Sequence, residues 1–303
     1  MPNATSQVSA VLFGLLLVAL PVAPAGAVRP GAPPTVMTRV VELGPLKING
    51  ISQSMEGVFQ RAMLDTGDIG WITAFRTEVV DAATGAPLSD EYFCHSRIQL
   101  ATGARLMVAA SGLPALRLPS GFGIPLQQIL ADLEESWRGV SLLGMVLNNH
   151  DRDLGAEVNV RFLVDYVAAS EPNVAENVDK LYRASVTVLP HRGVTVLAGD
   201  PLGPSELPPN AHGKTGHWMV PPGEQVIRQQ HTKLVPGPTR VHYGVVHMHN
   251  YGSSLKLTDV TEGRVLWETR VEYRPDLEFA QIARIPVYSS ESGFVMYPTI
   301  PTR

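Results

Sequence analysis

Cysteine is nearly absent from this sequence, since Cys94 is the single one among 303 residues. One cysteine excludes an internal disulfide, so the stability of the fold has to come from its hydrophobic core. A lone thiol in an oxidising compartment needs burial or a partner, for example a metal ion. Cys94 is therefore either a small buried residue or a soft metal ligand, and the sequence leaves both alternatives open.

Positive charge is not concentrated anywhere along the chain. The formal net charge is −4, and Lys and Arg are mixed with Asp and Glu throughout. Proteins that bind nucleic acids gather basic residues on one face, so the sequence predicts no nucleic-acid partner. Phosphate-binding glycine loops, dinucleotide fingerprints and Gly-x-Ser-x-Gly elbows are missing too, which excludes the enzyme classes that they mark.

Apolar runs are short. Residues 11–20 form a run of ten, which is too short for a comfortable membrane span, and it ends near the small-residue pattern Ala25-Gly26-Ala27. This pattern predicts a secretory signal peptide over residues 1–27, and hence a secreted or periplasmic protein with no stable membrane insertion after cleavage. The alternative is an uncleaved N-terminal anchor, because no Lys or Arg precedes the apolar run.

Short alternating runs dominate the rest of the chain. Residues 71–80 form a strand-like run before a turn, and residues 156–167 alternate apolar and polar side chains. Residues 254–260 and 264–273 flank a turn as a hairpin would. One helix is predicted over residues 125–137, where leucines and an isoleucine follow a helical spacing. The pattern predicts an all-β fold with two jelly-roll-like β-sandwich domains in tandem.

A polar stretch over residues 169–180 is the best candidate for a linker. It divides the chain after the leader into an N-terminal domain, residues 28–170, and a C-terminal domain, residues 181–303.

Two histidines stand at a spacing of two in the stretch VVHMHNYG, at His247 and His249. Alternation along a strand puts residues i and i+2 on the same face, so both imidazoles point one way, while Met248 points the other. Neighbouring imidazoles on a rigid strand make a ready pair of metal ligands. The alternative is two surface histidines on a strand.

The sequences VPPGEQVIRQQHTKL (220–234) and TRVHYGVVHMHNYGSSLKL (239–257) together resemble the second domain of the copper type II, ascorbate-dependent monooxygenases. The Pro-Pro-Gly-Glu turn, the His-x-His strand and the glycine after it stand in that family's order. The resemblance implies that His247 and His249 hold a catalytic copper that binds O₂.

The same resemblance is weaker in the first half of the chain. DEYFCHSRIQL (90–100) looks like the family's histidine-pair segment, with the pair reading Cys94-His95, and GMVLNNHDRD (144–153) looks like the segment of a later histidine, His150. The resemblance implies a second, electron-transfer copper on His95 and His150. The alternative is a core His95 beside a buried Cys94, with His150 in a loop.

The resemblance as a whole implies two mononuclear copper sites and the hydroxylation of a C–H bond of a small-molecule or peptide substrate, with O₂ and a reductant such as ascorbate. The family's third ligand at the catalytic copper is a late methionine, and this chain stops near where that strand would begin. Either the sequence is truncated, or water or another residue substitutes, with Met296, Met248 and His217 the nearest candidates. The second hypothesis is therefore a non-catalytic copper-binding or scaffolding protein of the same fold.

A competing motif is Asp65-Thr66-Gly67, which looks like the catalytic loop of an aspartic protease. Such proteases need two carboxylates that share a proton, and the sequence has no second Asp-Thr-Gly or Asp-Ser-Gly. The alternative is a turn in which Asp65 accepts hydrogen bonds from local backbone amides.

Overall fold

The computed structural model describes residues 12–19, 33–48, 58–89, 92–146, 155–172, 178–188, 223–224, 226–228, 235, 237–248, 251–275 and 282–297. The described chain is almost entirely β-structure, which confirms the predicted all-β class. Among the described residues, no helix is long and apolar enough to cross a membrane.

The largest sheet has the strand order β11-β8-β4-β10-β2, with β7 paired to β4. Its strands are β2 Val36–Ile48, β4 Ile69–Asp81, β7 Ala115–Arg117, β8 Phe122–Pro125, β10 Ala156–Ala168 and β11 Asp179–Lys180. The predicted strands at 71–80 and 156–167 are β4 and β10, its two central members. Apolar side chains of both strands pack into the core.

Two four-stranded sheets have the orders β3-β9-β5-β6 and β12-β1-β13-β18. The strands of the first are β3 Val58–Met63, β5 Phe93–Leu100, β6 Arg105–Ala110 and β9 Val140–Val146. Those of the second are β1 Leu12–Ala19, β12 Tyr182–Val188, β13 Thr239–His247 and β18 Tyr288–Met296. The candidate site lies where β13 packs against β5 of the other four-stranded sheet.

Two short ribbons complete the fold. The predicted hairpin is confirmed as β14 Ser254–Asp259 and β15 Arg264–Arg270, and β16 Glu272–Tyr273 pairs with β17 Ile282–Arg284. The helix predicted over 125–137 is shorter than expected: α1 covers Leu126–Ala131, and a separate 3₁₀ turn covers Glu135–Trp137. Leu126 and Leu130 are the buried residues of α1, so its apolar spacing is used for one and a half turns only.

The apolar run predicted as part of a signal peptide supplies strand β1, which pairs antiparallel with both β12 and β13. Cleavage after Ala27 would therefore remove a central strand from this sheet. The leader itself, and export with it, stays a prediction.

Buried apolar side chains form a large cluster between the first two sheets and a smaller one under the C-terminal strands. The large cluster also contains Tyr243 and Val245 of β13, while Val241, Val246 and Met248 belong to the smaller one. Strand β13 thus separates two cores, which fixes the direction in which its histidines point.

Asp65 lies in the turn that precedes β4. Its Oδ1 accepts a hydrogen bond from the Gly67 backbone N–H at 3.1 Å, and its Oδ2 pairs with Arg39 Nη1 at 2.9 Å. The backbone hydrogen bond holds the pKa of Asp65 below its usual value, with Arg39 as the next cause. The turn interpretation of Asp65-Thr66-Gly67 is therefore confirmed.

Candidate metal centre

A β-bulge at the start of β5 brings two neighbouring side chains to one place. Phe93 pairs with Val146 and His95 pairs with Met145, so Cys94 is an extra residue with no partner position on β9. A bulge of this kind re-aims the side chains beside it, whereas a regular strand would send residues 94 and 95 to opposite faces. The result is a distance of 3.2 Å between Cys94 Sγ and His95 Nδ1.

His247 reaches the same place from the end of β13. The ring centroids of His95 and His247 are 5.2 Å apart, with the two planes inclined by 46°. The donor atoms of Cys94, His95 and His247 all lie within 4.8 Å of one another. One thiol and two imidazoles from two different sheets therefore surround a common point.

The cluster is largely shielded from solvent. Cys94 and His247 are 5% and 7% exposed, and His95 is half-buried. Burial raises the pKa of the Cys94 thiol to about 12. The sulfur is therefore a protonated thiol at neutral pH, and it becomes a strong ligand only when a metal ion displaces the proton.

Met145 lies beside this cluster on β9. It stands directly opposite His95 in the strand register and is 5% exposed. Residues that stand opposite each other across an antiparallel pair lie on the same face of the sheet, so Met145 shares the face of His95. A thioether is a soft, weak metal ligand, which makes Met145 a candidate fourth donor beside the one Cys and two His.

The structure brings together His95 and His247, which the sequence assigned to two separate copper sites. Their predicted partners, His150 and His249, lie outside the described residues. The two-site arrangement therefore stays a prediction, and the cluster that the structure describes draws one histidine from each predicted pair.

Two of the three candidates for a third copper ligand are elsewhere. Met296 pairs with Thr239, eight residues before His247, which is roughly 26 Å along a strand. Met248 packs in the smaller core cluster, away from His247. Met296 and Met248 are therefore wrong as ligands beside His247, and His217 lies outside the described residues.

A surface cleft of about 530 Å³ opens near β7 and β18, and Arg117, Tyr243 and Glu291 are among the residues that line it. None of the three cluster residues lines this cleft, although Tyr243 and His247 share a strand. The cluster is therefore buried and does not form the floor of that cleft.

Sequence reasoning missed the convergence of Cys94 with His247, and it missed Met145 altogether. The adjacent pair Cys94-His95 was visible, but a bulge leaves no clear signature in sequence, and Met145 looks like an ordinary core residue in the apolar run of β9. No protein-family model matches the chain, and neither a curated protein nor a solved structure is detectably similar to it.

Proposed function

We propose that this chain is a copper-binding protein that holds one copper ion between Cys94, His95 and His247. The observation that supports the proposal is the convergence of their three donor atoms within 4.8 Å. Imidazole suits both copper oxidation states, and a thiolate favours Cu(I). Of the two functions that the sequence favours, this is the non-catalytic one, with a single mixed site in place of two histidine sites.

Met145 as a fourth ligand would favour copper over zinc. Zinc sites in proteins use Cys, His and carboxylate ligands, whereas a set of two His and one Cys with a weak Met is the ligand set of electron-transfer copper. The buried cluster also restricts access of water and substrate. A bound copper would supply one-electron chemistry, and the chain's own part is to hold the donors in place and shield them.

The test is X-ray absorption at the copper edge on the full chain loaded with Cu(I) under anaerobic conditions. We expect a short copper–sulfur path in the wild type that is lost in Cys94→Ser, and preserved in His242→Gln. His242 is a matched control, because it is a buried histidine of the same strand whose ring contacts Phe122 instead of the cluster. Copper bound only by nitrogen and oxygen, or a preference for zinc in direct competition, would overturn the proposal.

The monooxygenase is the second candidate function. It rests on the resemblance over residues 220–234 and 239–257 and on His247, which lies buried at the end of β13. By that resemblance, His247 and His249 would hold the copper that binds O₂, and His95 and His150 would hold a second copper that relays electrons. Ascorbate-driven O₂ consumption by the copper-loaded chain, abolished in His247→Gln, would favour this candidate, and no consumption above free copper would reject it.

A further inference from the structure

Several arginine side chains lie on the same sheet face as His95. Arg97 follows His95 by two residues on β5, so both side chains point the same way. Arg97 stands opposite Leu143 of β9, and Leu143 stands opposite Arg61 of β3. Arg61 and Arg97 therefore lie in one row across the same face of the sheet.

Two further arginines reach this face. Arg105 opens β6 and pairs with Gln99, the next residue of β5 on the face of Arg97. Arg183 belongs to β12 of another sheet, and its Nη1 donates a hydrogen bond to the backbone carbonyl of Arg105. Four strands from two sheets thus place Arg61, Arg97, Arg105 and Arg183 in one region of the structure.

Their charges act on one another in a partly buried place. Arg97, Arg105 and Arg183 are half-buried, and Arg61 is exposed. Burial lowers the pKa of Arg183 to about 10, followed by the charges of Arg105 and Arg97. A negative charge placed among them would relieve this repulsion.

Arg183 also has a hydrogen-bond donor that is not used among the described residues. Its Nε is buried and has no hydrogen-bond acceptor within the described part of the chain. A buried donor without an acceptor is costly, so an oxygen atom of a ligand at this position would be stabilised.

We infer that Arg61, Arg97, Arg105 and Arg183 form a binding site for an oxyanion of the phosphate class, either free phosphate or a phosphomonoester group. The planar fork of a guanidinium matches two oxygens of such a group, and forks supplied by different strands suit a tetrahedral ion better than a flat carboxylate. A dianion also offsets more of the clustered positive charge than a monovalent ion does. The inference does not rest on the metal proposal, because none of its four residues is a proposed ligand, although Arg97 lies two residues from His95 on β5.

Equilibrium dialysis of the full chain against labelled inorganic phosphate, with a chelator present and ionic strength held constant, tests the inference. We expect Arg183→Gln to weaken phosphate binding by at least about tenfold, because charge-assisted hydrogen bonds are lost. Arg183→Lys keeps the charge without the fork and is expected to bind less tightly than the wild type but more tightly than Arg183→Gln. The matched control is Arg264→Gln, an exposed strand arginine beside Glu262, which is expected to bind as the wild type does.

Circular dichroism spectra and melting temperatures of the variants establish that a loss of binding is not a loss of fold. Tighter binding of phenyl phosphate than of inorganic phosphate would assign the site to phosphomonoesters, and the reverse order would assign it to the free ion. Undetectable phosphate binding, acetate bound as tightly as phosphate, or equal binding by the wild type and a folded Arg183→Gln variant would overturn the inference.

Discussion

Cys94 owes its position to one extra residue in β5. Without the bulge, Cys94 and His95 would point to opposite faces, and only one of them would meet His247. Burial then keeps the thiol protonated at neutral pH, with a pKa of about 12. We therefore expect the sulfur to react slowly with ordinary thiol reagents.

We predict that iodoacetamide alkylates Cys94 in the native, metal-free chain at least about a hundredfold more slowly than in the denatured chain at pH 8, because the thiolate is the reactive form. The rate should rise as the pH increases towards 12. Mass spectrometry of quenched samples measures it on a single site, since the chain has no other cysteine. Equal rates in native and denatured chains would contradict the burial of this thiol.

The identity of the candidate residues was partly predictable. Alternation along a strand correctly placed His247 opposite in direction to Met248, because that depends on local geometry alone. The approach of His95 to His247 depends on how two sheets pack against each other, and the spacing of residues along the chain does not predict that packing. Met145 became visible only through the register of β5 and β9.

Strands β2, β4, β7 and β10 meet at a buried carboxylate. Asp165 of β10 accepts a hydrogen bond from Thr38 Oγ1 at 2.8 Å and pairs with Arg117 Nη2 at 2.8 Å, while Arg76 lies at 3.6 Å. Its side chain is 5% exposed, so these contacts are little screened by solvent. Asp165 therefore ties the edge strands to the centre of the largest sheet.

Replacing this carboxylate should loosen the sheet. We predict that Asp165→Asn lowers the free energy of unfolding by about 1.5–3 kcal/mol, because charge-assisted hydrogen bonds are lost in a buried place. Urea denaturation measures the effect. The control is Asp65→Asn, since Asp65 pairs with Arg39 in solvent with its side chain 80% exposed and should change stability little. Equal losses of unfolding free energy in the two variants would show that burial does not determine how much these contacts stabilise the protein.

Gly144 allows β9 and β10 to approach each other. A Cβ at this position would lie 3.0 Å from the Phe162 ring and 3.2 Å from Val160, both in the closely packed core. We predict that Gly144→Ala lowers the free energy of unfolding by about 1–3 kcal/mol through overpacking.

The matched control for this change is Gly139→Ala, where a Cβ would lie 3.5 Å from the end of the Met63 side chain. It should change stability little, and thermal unfolding of both variants makes the comparison. A Gly144→Ala variant as stable as the control would mean that the two sheets can move apart at no cost.

Strand content was well predicted by alternation, because each central strand buries one face. The helix was predicted too long. Its apolar spacing persists past Ala131, but the chain turns there and Glu135–Trp137 form a separate 3₁₀ turn. Sheet membership could not be predicted, since β1 and β13 are neighbours in space and more than two hundred residues apart in sequence.

The N-terminal strand matters for the whole molecule. Strand β1 joins β12 to β13, so a chain that lacks residues 1–27 would leave two strand edges without a partner between them. Such edges pair readily with other chains. We predict that this shortened chain melts at a lower temperature and self-associates more than the full chain, as measured by thermal unfolding and light scattering. Identical melting and mass would show that β1 contributes nothing to this sheet.

The most direct measurement of the central claim is the number of copper ions per chain after anaerobic loading with Cu(I) and dialysis. The account predicts one copper in the wild type, none in His95→Gln or in His247→Gln, and one in the His242→Gln control. Each histidine variant should lose the same ion, because both imidazoles belong to one cluster with Cys94. Two coppers in the wild type with one retained in each variant, or no copper in the wild type, would contradict it.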